Sequence, residues 1–244
     1  MATYVYGIVG SGTEAPRAAG IADAPLELIA AGGAAALVSE LPGTEPRLGR
    51  EEILTHSRVL EEAMSAGTVL PMRFGMVMQG AEVVRERLLD AHAPELMHQL
   101  EQLAGKLECN VRVVYDEEAL MRDVVQRDTA IARLRDSLRG KPDDATYYER
   151  IRLGELVAEA VDRLRQLDAG EIIDALAPLA VDLAIADPAH ERVVVSASFL
   201  VERDRLSEFD QALERIASER ADRMRFKHTG PLPPYSFVEL AGSG

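Results

Sequence analysis

The last quarter of the chain constrains the fold most. Val181, Leu183 and Ile185 alternate with Asp182, Ala184 and Ala186, and Val193, Val195, Ala197, Phe199 and Val201 alternate with Val194, Ser196, Ser198 and Leu200. A period of two puts each set on one face of a pleated strand. Leu206, Phe209, Leu213 and Ile216 then recur at three-to-four spacing, which is one helical face. Met224, Phe226 and His228 return to alternation, against Arg223, Arg225 and Lys227. Strand, strand, helix, strand, preceded by a helical stretch, is most of a ferredoxin-like α+β unit.

The first half repeats part of that order. Residues 3–10 (TYVYGIVG) are β-branched and aromatic and end in glycine, which reads as a strand. Residues 26–31 and 34–41 flank Gly32 and Gly33, a pair suited to a tight hairpin. Residues 51–66 carry Ile53, Ser57, Leu60 and Met64 at helical spacing behind two glutamates, and Gly67 stands where a left-handed cap is usual. A short strand interrupted by Pro71 follows, then short helices at 81–90 and 94–104, then a strand at 110–115 (NVRVVY).

From Asp116 the pattern becomes helical. Leu120, Val124, Ile131, Leu134 and Leu138 form one stripe, and Leu153, Leu156, Val157, Ala160, Val161, Leu164 and Leu167 form another. Between them, residues 140–144 break the helix and offer Asp143 or Asp144 as a new cap. Two charged helices joined by a short turn predict an antiparallel hairpin. The expected class is therefore α+β. It consists of two small, modified ferredoxin-like lobes, the second enriched in helix by a long hairpin, with domains at 1–115 and 116–244.

Charge and cysteine usage narrow the function. The net charge of −14 argues against a nucleic-acid binder, which needs a basic face, and against docking on a lipid membrane. A single cysteine cannot form an intramolecular disulfide, and neither a signal peptide nor a membrane-spanning run is visible, so a cytoplasmic protein is expected. The five histidines are scattered, no metal-ligand spacing occurs, and no cofactor is expected. Gly7, Gly10 and Gly12 are spaced G-x-x-G-x-G, which is not the dinucleotide fingerprint. Cys109 has an acidic neighbour and no nearby histidine, so a nucleophile is not expected. Arg223, Arg225 and Lys227 form either a solvated strand face or a docking stripe. No catalytic constellation emerges.

Three stretches stand apart from simple packing: YVYGIV (residues 4–9), VLPMRFG (69–75) and GPLPPYSFV (230–238). In this order they resemble the signature stretches of the GvpF/GvpL family of gas vesicle proteins, and GKLECNVRV (105–113) resembles the strand that enters its second half. The residues that carry the resemblance are Tyr4, Tyr6, Gly7, Pro71, Arg73, Phe74, Gly75, Gly230, Pro231, Pro234, Tyr235 and Phe237. They are candidates for structural or partner-contact roles. The resemblance implies a non-enzymatic accessory protein of gas vesicle assembly that interacts with the small hydrophobic shell protein GvpA and with other accessory proteins. It also implies a modified ferredoxin fold, with the N-terminal lobe contacting GvpA.

One observation bears on that contact independently. The first 44 residues hold only Glu14, Arg17, Asp23, Glu27 and Glu40 as charged side chains. A strand-rich, charge-poor segment is either buried on both faces or offers an apolar surface or a strand edge to a partner. An exposed edge within 26–41 is the expected place. Two other readings remain open: a self-associating scaffold built on the 116–168 hairpin, and a small-ligand-binding ferredoxin-like protein.

Overall fold

The computed structural model describes residues 2–41, 49–142 and 144–239. They pack as two compact units, Met1–Cys109 with Gly230–Gly244, and Asn110–Thr229. The division falls between residues 109 and 110, not at the expected 115 and 116, and residues 230–239 group with the first unit.

In the first unit, β1 (Ala2–Gly10), β2 (Leu26–Ala31), β3 (Ala34–Leu41) and β4 (Val69–Pro71) form an antiparallel sheet in the order β2-β3-β1-β4, and β5 (Val77–Met78) also pairs with β1. The order is that of a ferredoxin-like sheet, with a loop in place of its first crossover helix. β2 and β3 meet in a two-residue hairpin, where Gly32 and Gly33 take φ of 60° and 90°. Only glycine enters that region without strain.

α1 (Arg50–Ala66) packs on β1 and β4. It buries His56, Val59, Leu60, Ala63 and Met64. Leu60 and Met64 of the expected stripe are buried, but Ile53 at its start is exposed, because the partner surface there selects the face through His56. Gly67 is extended at φ 172° and is no left-handed cap. α2 (Ala81–Val83) continues as a π-helical segment (Val84–Asp90), which packs on β2 and β3, and α3 (Ala93–Gln102) follows. β1 and most of β3 are buried along their length, so burial on both faces accounts for the scarcity of charge in these two strands.

The second unit is a ferredoxin-like arrangement of its own. β6 (Lys106–Tyr115), β7 (Asp182–Ile185), β8 (Val193–Glu202) and β9 (Met224–Leu232) lie in the order β7-β8-β6-β9. α7 (Leu206–Glu219) buries Phe209, Ala212, Leu213 and Ile216. The first crossover is the long one. It comprises α4 (Glu117–Arg127), α5 (Thr129–Leu138) and the 30-residue α6 (Tyr147–Leu176).

The hairpin expected over 116–168 is thus a three-helix layer. Asp128 is extended at φ −115°, ψ 103°, and accepts hydrogen bonds from the N–H groups of Ala130 and Ile131, so it caps α5 and ends α4. Thr146, not Asp144, precedes α6. Asp143 lies outside the described residues. No helix among the described residues is long and apolar enough to cross a membrane.

Candidate functional site

The three stretches singled out in the sequence converge in the first unit. Tyr4 and Tyr6 project from β1 towards α1, where His56 lies buried between them and Phe74. The Tyr4 hydroxyl accepts the Gly75 N–H at 3.0 Å and bonds His56 Nδ1 at 3.0 Å. His56 Nε2 bonds the Tyr235 hydroxyl at 3.2 Å. The Tyr6 hydroxyl accepts the Ile21 N–H at 2.7 Å and bonds Ser39 Oγ at 2.8 Å. Beside them, buried Glu108 accepts the N–H and the hydroxyl of Ser236 at 2.7 and 2.9 Å. Gln99 of α3 exchanges two hydrogen bonds with the backbone of Glu239.

Gly7 and Pro71 belong to the same arrangement through the backbone. They are register partners in β1 and β4, just past an irregularity at Tyr6. A Cβ on Gly7 would stand 2.8 Å from the Leu70 carbonyl oxygen and 2.9 Å from Leu60 and Val69 side-chain atoms. Only a residue without a side chain lets these strands and α1 approach so closely. Pro71, at the end of a three-residue strand, leaves Met72 to donate to the Tyr6 carbonyl at 2.8 Å.

Other motif residues stay out of this cluster. The Arg73 side chain is exposed. Gly230 and Pro231 are exposed in β9, joined by a cis peptide. Pro234 is buried and Phe237 half-buried. His56 and Ser39 lie outside the motif stretches, and Glu108 and Ser236 lie inside them but are not among the candidate residues.

The electrostatics show what the cluster can do. Burial pushes the His56 imidazole down to about 4, against a backbone hydrogen bond at Met72 that raises it. Burial pushes Tyr4 up to about 12, and raises Tyr6 and Tyr235 as well. A neutral imidazole has one proton and one lone pair, so it donates to one tyrosine and accepts from the other. A general acid or base works best with a pKa near the operating pH. These groups are held neutral far from it, and their hydrogen bonds tie β1, α1, the turn after β4 and the C-terminal segment together.

The second unit has a charged counterpart. Asp168 of α6 is buried, and its carboxylate takes a bidentate pair from Arg223 at 2.8 and 2.5 Å and the Tyr115 hydroxyl at 2.5 Å. Burial pushes Tyr115 up, and the bond to Asp168 adds to it. Burial, the largest single influence, would lower Arg223, but its hydrogen bonds to Asp168 together with the charges of Asp168, Tyr115 and Asp123 outweigh it and raise it. Arg223 is therefore not one of a solvated row with Arg225 and Lys227, which are exposed. A signal was present in the sequence: Leu164, Asp168 and Ile172 share one helical face, and a carboxylate there needs a partner.

Comparison with known proteins places this architecture. Residues 2–239 match the family described as "Gas vesicle synthesis protein GvpL/GvpF". The chain belongs to the GvpL/GvpF family. It is 36% identical over 243 residues to gas vesicle protein F of Streptomyces sp. (strain CB03234), covering 98% of this chain and all of the relative. It is 29% identical over 206 residues to gas vesicle protein F of Dolichospermum flosaquae, covering 84% and 83% of the two chains. The crystal structure of GvpF from Anabaena sp. PCC7120 superposes with a TM-score of 0.85 at 27% identity, covering 98% of this chain and 99% of that one. That of Microcystis aeruginosa GvpF superposes with a TM-score of 0.79 at 25% identity, with the same coverage. Membership of the GvpL/GvpF family supports an accessory role in gas vesicles.

Proposed function

We propose that this GvpL/GvpF protein binds the small hydrophobic shell protein GvpA through its first unit and acts, without catalysis, in nucleation or growth of the vesicle, alongside other accessory proteins. The observation that carries this reading is the edge position of β2. β3 is interior, so within 26–41 only β2 is an edge. The Ala30 carbonyl on the side away from β3 is taken by the Arg85 guanidinium at 2.9 Å. Backbone groups alternate sides along an antiparallel strand, so the N–H and C=O of Leu26 and Leu28 face outward too. Both leucine side chains are half-exposed. An edge of this kind accepts an extended segment through main-chain hydrogen bonds, with leucines as apolar contacts. Ile53 and Leu54, at 48% and 60% exposure, add apolar surface on α1 of the same unit.

The experiment uses the full chain, because a fragment ending at residue 115 would lose Tyr235 and Ser236 from the first unit. Leu28→Lys places a charge on the edge, a device natural sheets use to block strand addition. Retention of co-expressed GvpA should drop at least about tenfold while the circular dichroism spectrum is kept. Unchanged retention in a folded Leu28→Lys protein removes the β2 edge as the contact.

A further inference from the structure

The second sheet carries a polar hollow on one face. Phe199 of β8 packs on Phe209 of α7, so Ser196 and Ser198 lie on the opposite face of the strand. A cavity of about 330 Å³ opens there. The short side chains of Ser196 and Ser198, with Ala184 and Ala186 on the β7 side, leave the space. Asn110 and Arg112 of β6 and Lys227 and Thr229 of β9 complete the lining. Asn110 Oδ1 accepts the Ser198 hydroxyl at 2.6 Å, which leaves the amide NH2 of Asn110 to donate elsewhere.

Charge, counted over all four strands, selects the occupant. By alternation this face carries Lys106, Arg112, Arg225 and Lys227 against Glu108, Asp182 and Glu202. Most of these are engaged. Glu108 holds Ser236, and Asp182 accepts the Leu183 N–H. Lys106 donates to the Gln102 carbonyl, and Arg225 donates to the Ala221 carbonyl beside Asp116. Arg112 and Lys227, the two cations of the lining, have no hydrogen bond or ion pair among the described residues. No carboxylate lines the cavity; Glu202 stands four residues beyond Ser198, about 13 Å along β8, and Asp187 and Glu191 of the loop after β7 are outside the lining as well. Two unpaired cations match the charge of a phosphate monoester, and the guanidinium fork can hold two of its oxygens. The cavity lies at the lower end of small-molecule sites, about 300–1,000 Å³, so it has room for more than the phosphate. Three hydroxyls and an amide suit a hydroxyl-bearing body, and no aromatic ring is present to stack on a base.

We propose that this hollow binds a small sugar phosphate, with Arg112 and Lys227 on the phosphate and Asn110, Ser196, Ser198 and Thr229 on the sugar hydroxyls. The site lies within the second unit and does not depend on the role given to β2. The test is isothermal titration calorimetry on the full chain with ribose 5-phosphate, inorganic phosphate and ribose. Ribose 5-phosphate should bind saturably and about tenfold or more tighter than inorganic phosphate, and ribose should give no measurable binding. Arg112→Gln and Lys227→Gln, at exposed positions, should each weaken ribose 5-phosphate about tenfold. Arg225→Gln, on the same strand but outside the lining, should leave it unchanged. Absence of saturable binding, equal affinity for inorganic phosphate, unchanged binding in Arg112→Gln and Lys227→Gln, or an equal loss in Arg225→Gln overturns the proposal. So does tighter binding of a hexaglutamate peptide, since the face would then dock an acidic protein segment.

Discussion

The Asp168–Arg223 pair tests how the second unit is held. The Asp168 side chain is 4% exposed and that of Arg223 18%. Removing one partner of a buried ion pair costs about 3–5 kcal/mol, because the other charge is stranded. Asp168→Asn keeps the shape and an acceptor for the Tyr115 hydroxyl, and Arg223 retains Asp123 at 3.6 Å. These residual contacts place the expected loss at the lower end, about 3 kcal/mol. At about 2–4 °C per kcal/mol for a chain of this size, the melting temperature should fall by about 6–12 °C. The chain has no tryptophan, so urea unfolding is followed by far-ultraviolet circular dichroism. Replacing both members, Asp168→Leu with Arg223→Met, leaves no stranded charge and should cost less than the two single variants added together. A loss below about 0.5 kcal/mol for Asp168→Asn, or strict additivity in the double variant, would refute the reasoning.

The first unit makes three further predictions. His56 is held near 4 in the fold and returns to about 6.5 when unfolded, so the unfolded chain binds the extra proton between those values. Its contribution is therefore complete above about pH 6.5 and lost as pH falls towards 4, and His56→Gln should lack that part of the pH dependence in urea titrations. Gly7→Ala should destabilise by about 1–3 kcal/mol, because the new methyl meets the Leu70 carbonyl at 2.8 Å; a neutral result by thermal unfolding would mean that the strands yield. Tyr4→Phe removes the acceptor for the Gly75 N–H and a partner of His56, and should cost about 1–3 kcal/mol, measured in the same way.

Local period carried much of the fold. The alternations at 181–201 and 224–228 and the Gly32–Gly33 hairpin appear as β7, β8, β9 and the β2–β3 turn, because side-chain spacing reports directly on strand and helix faces. What period could not report was partnership. The strand at 110–115 is locally indistinguishable from a strand of the first sheet, and only pairing with β8 and β9 assigns it to the second. Asp128 ends α4 by a side-chain cap inside a continuous helical stripe. The face of α1 depends on which residue the β1 tyrosines meet, and this is His56.

The motif residues were legible as a set for the same reason that their geometry was not. Tyr4, Phe74 and Tyr235 are separated by up to 231 positions, and only the folded chain brings them to one imidazole. Glu108 and Ser236 lie inside the stretches GKLECNVRV and GPLPPYSFV, but nothing in either stretch says that they pair. Their pairing follows from the return of the C-terminal segment to the first unit.

The most direct test of the proposed role is co-purification of co-expressed GvpA with the tagged full-length protein, comparing the parent with Leu28→Lys. GvpA held by the parent and released by a folded Leu28→Lys protein is the expected result. Absence of GvpA from the folded parent would contradict shell-protein binding itself.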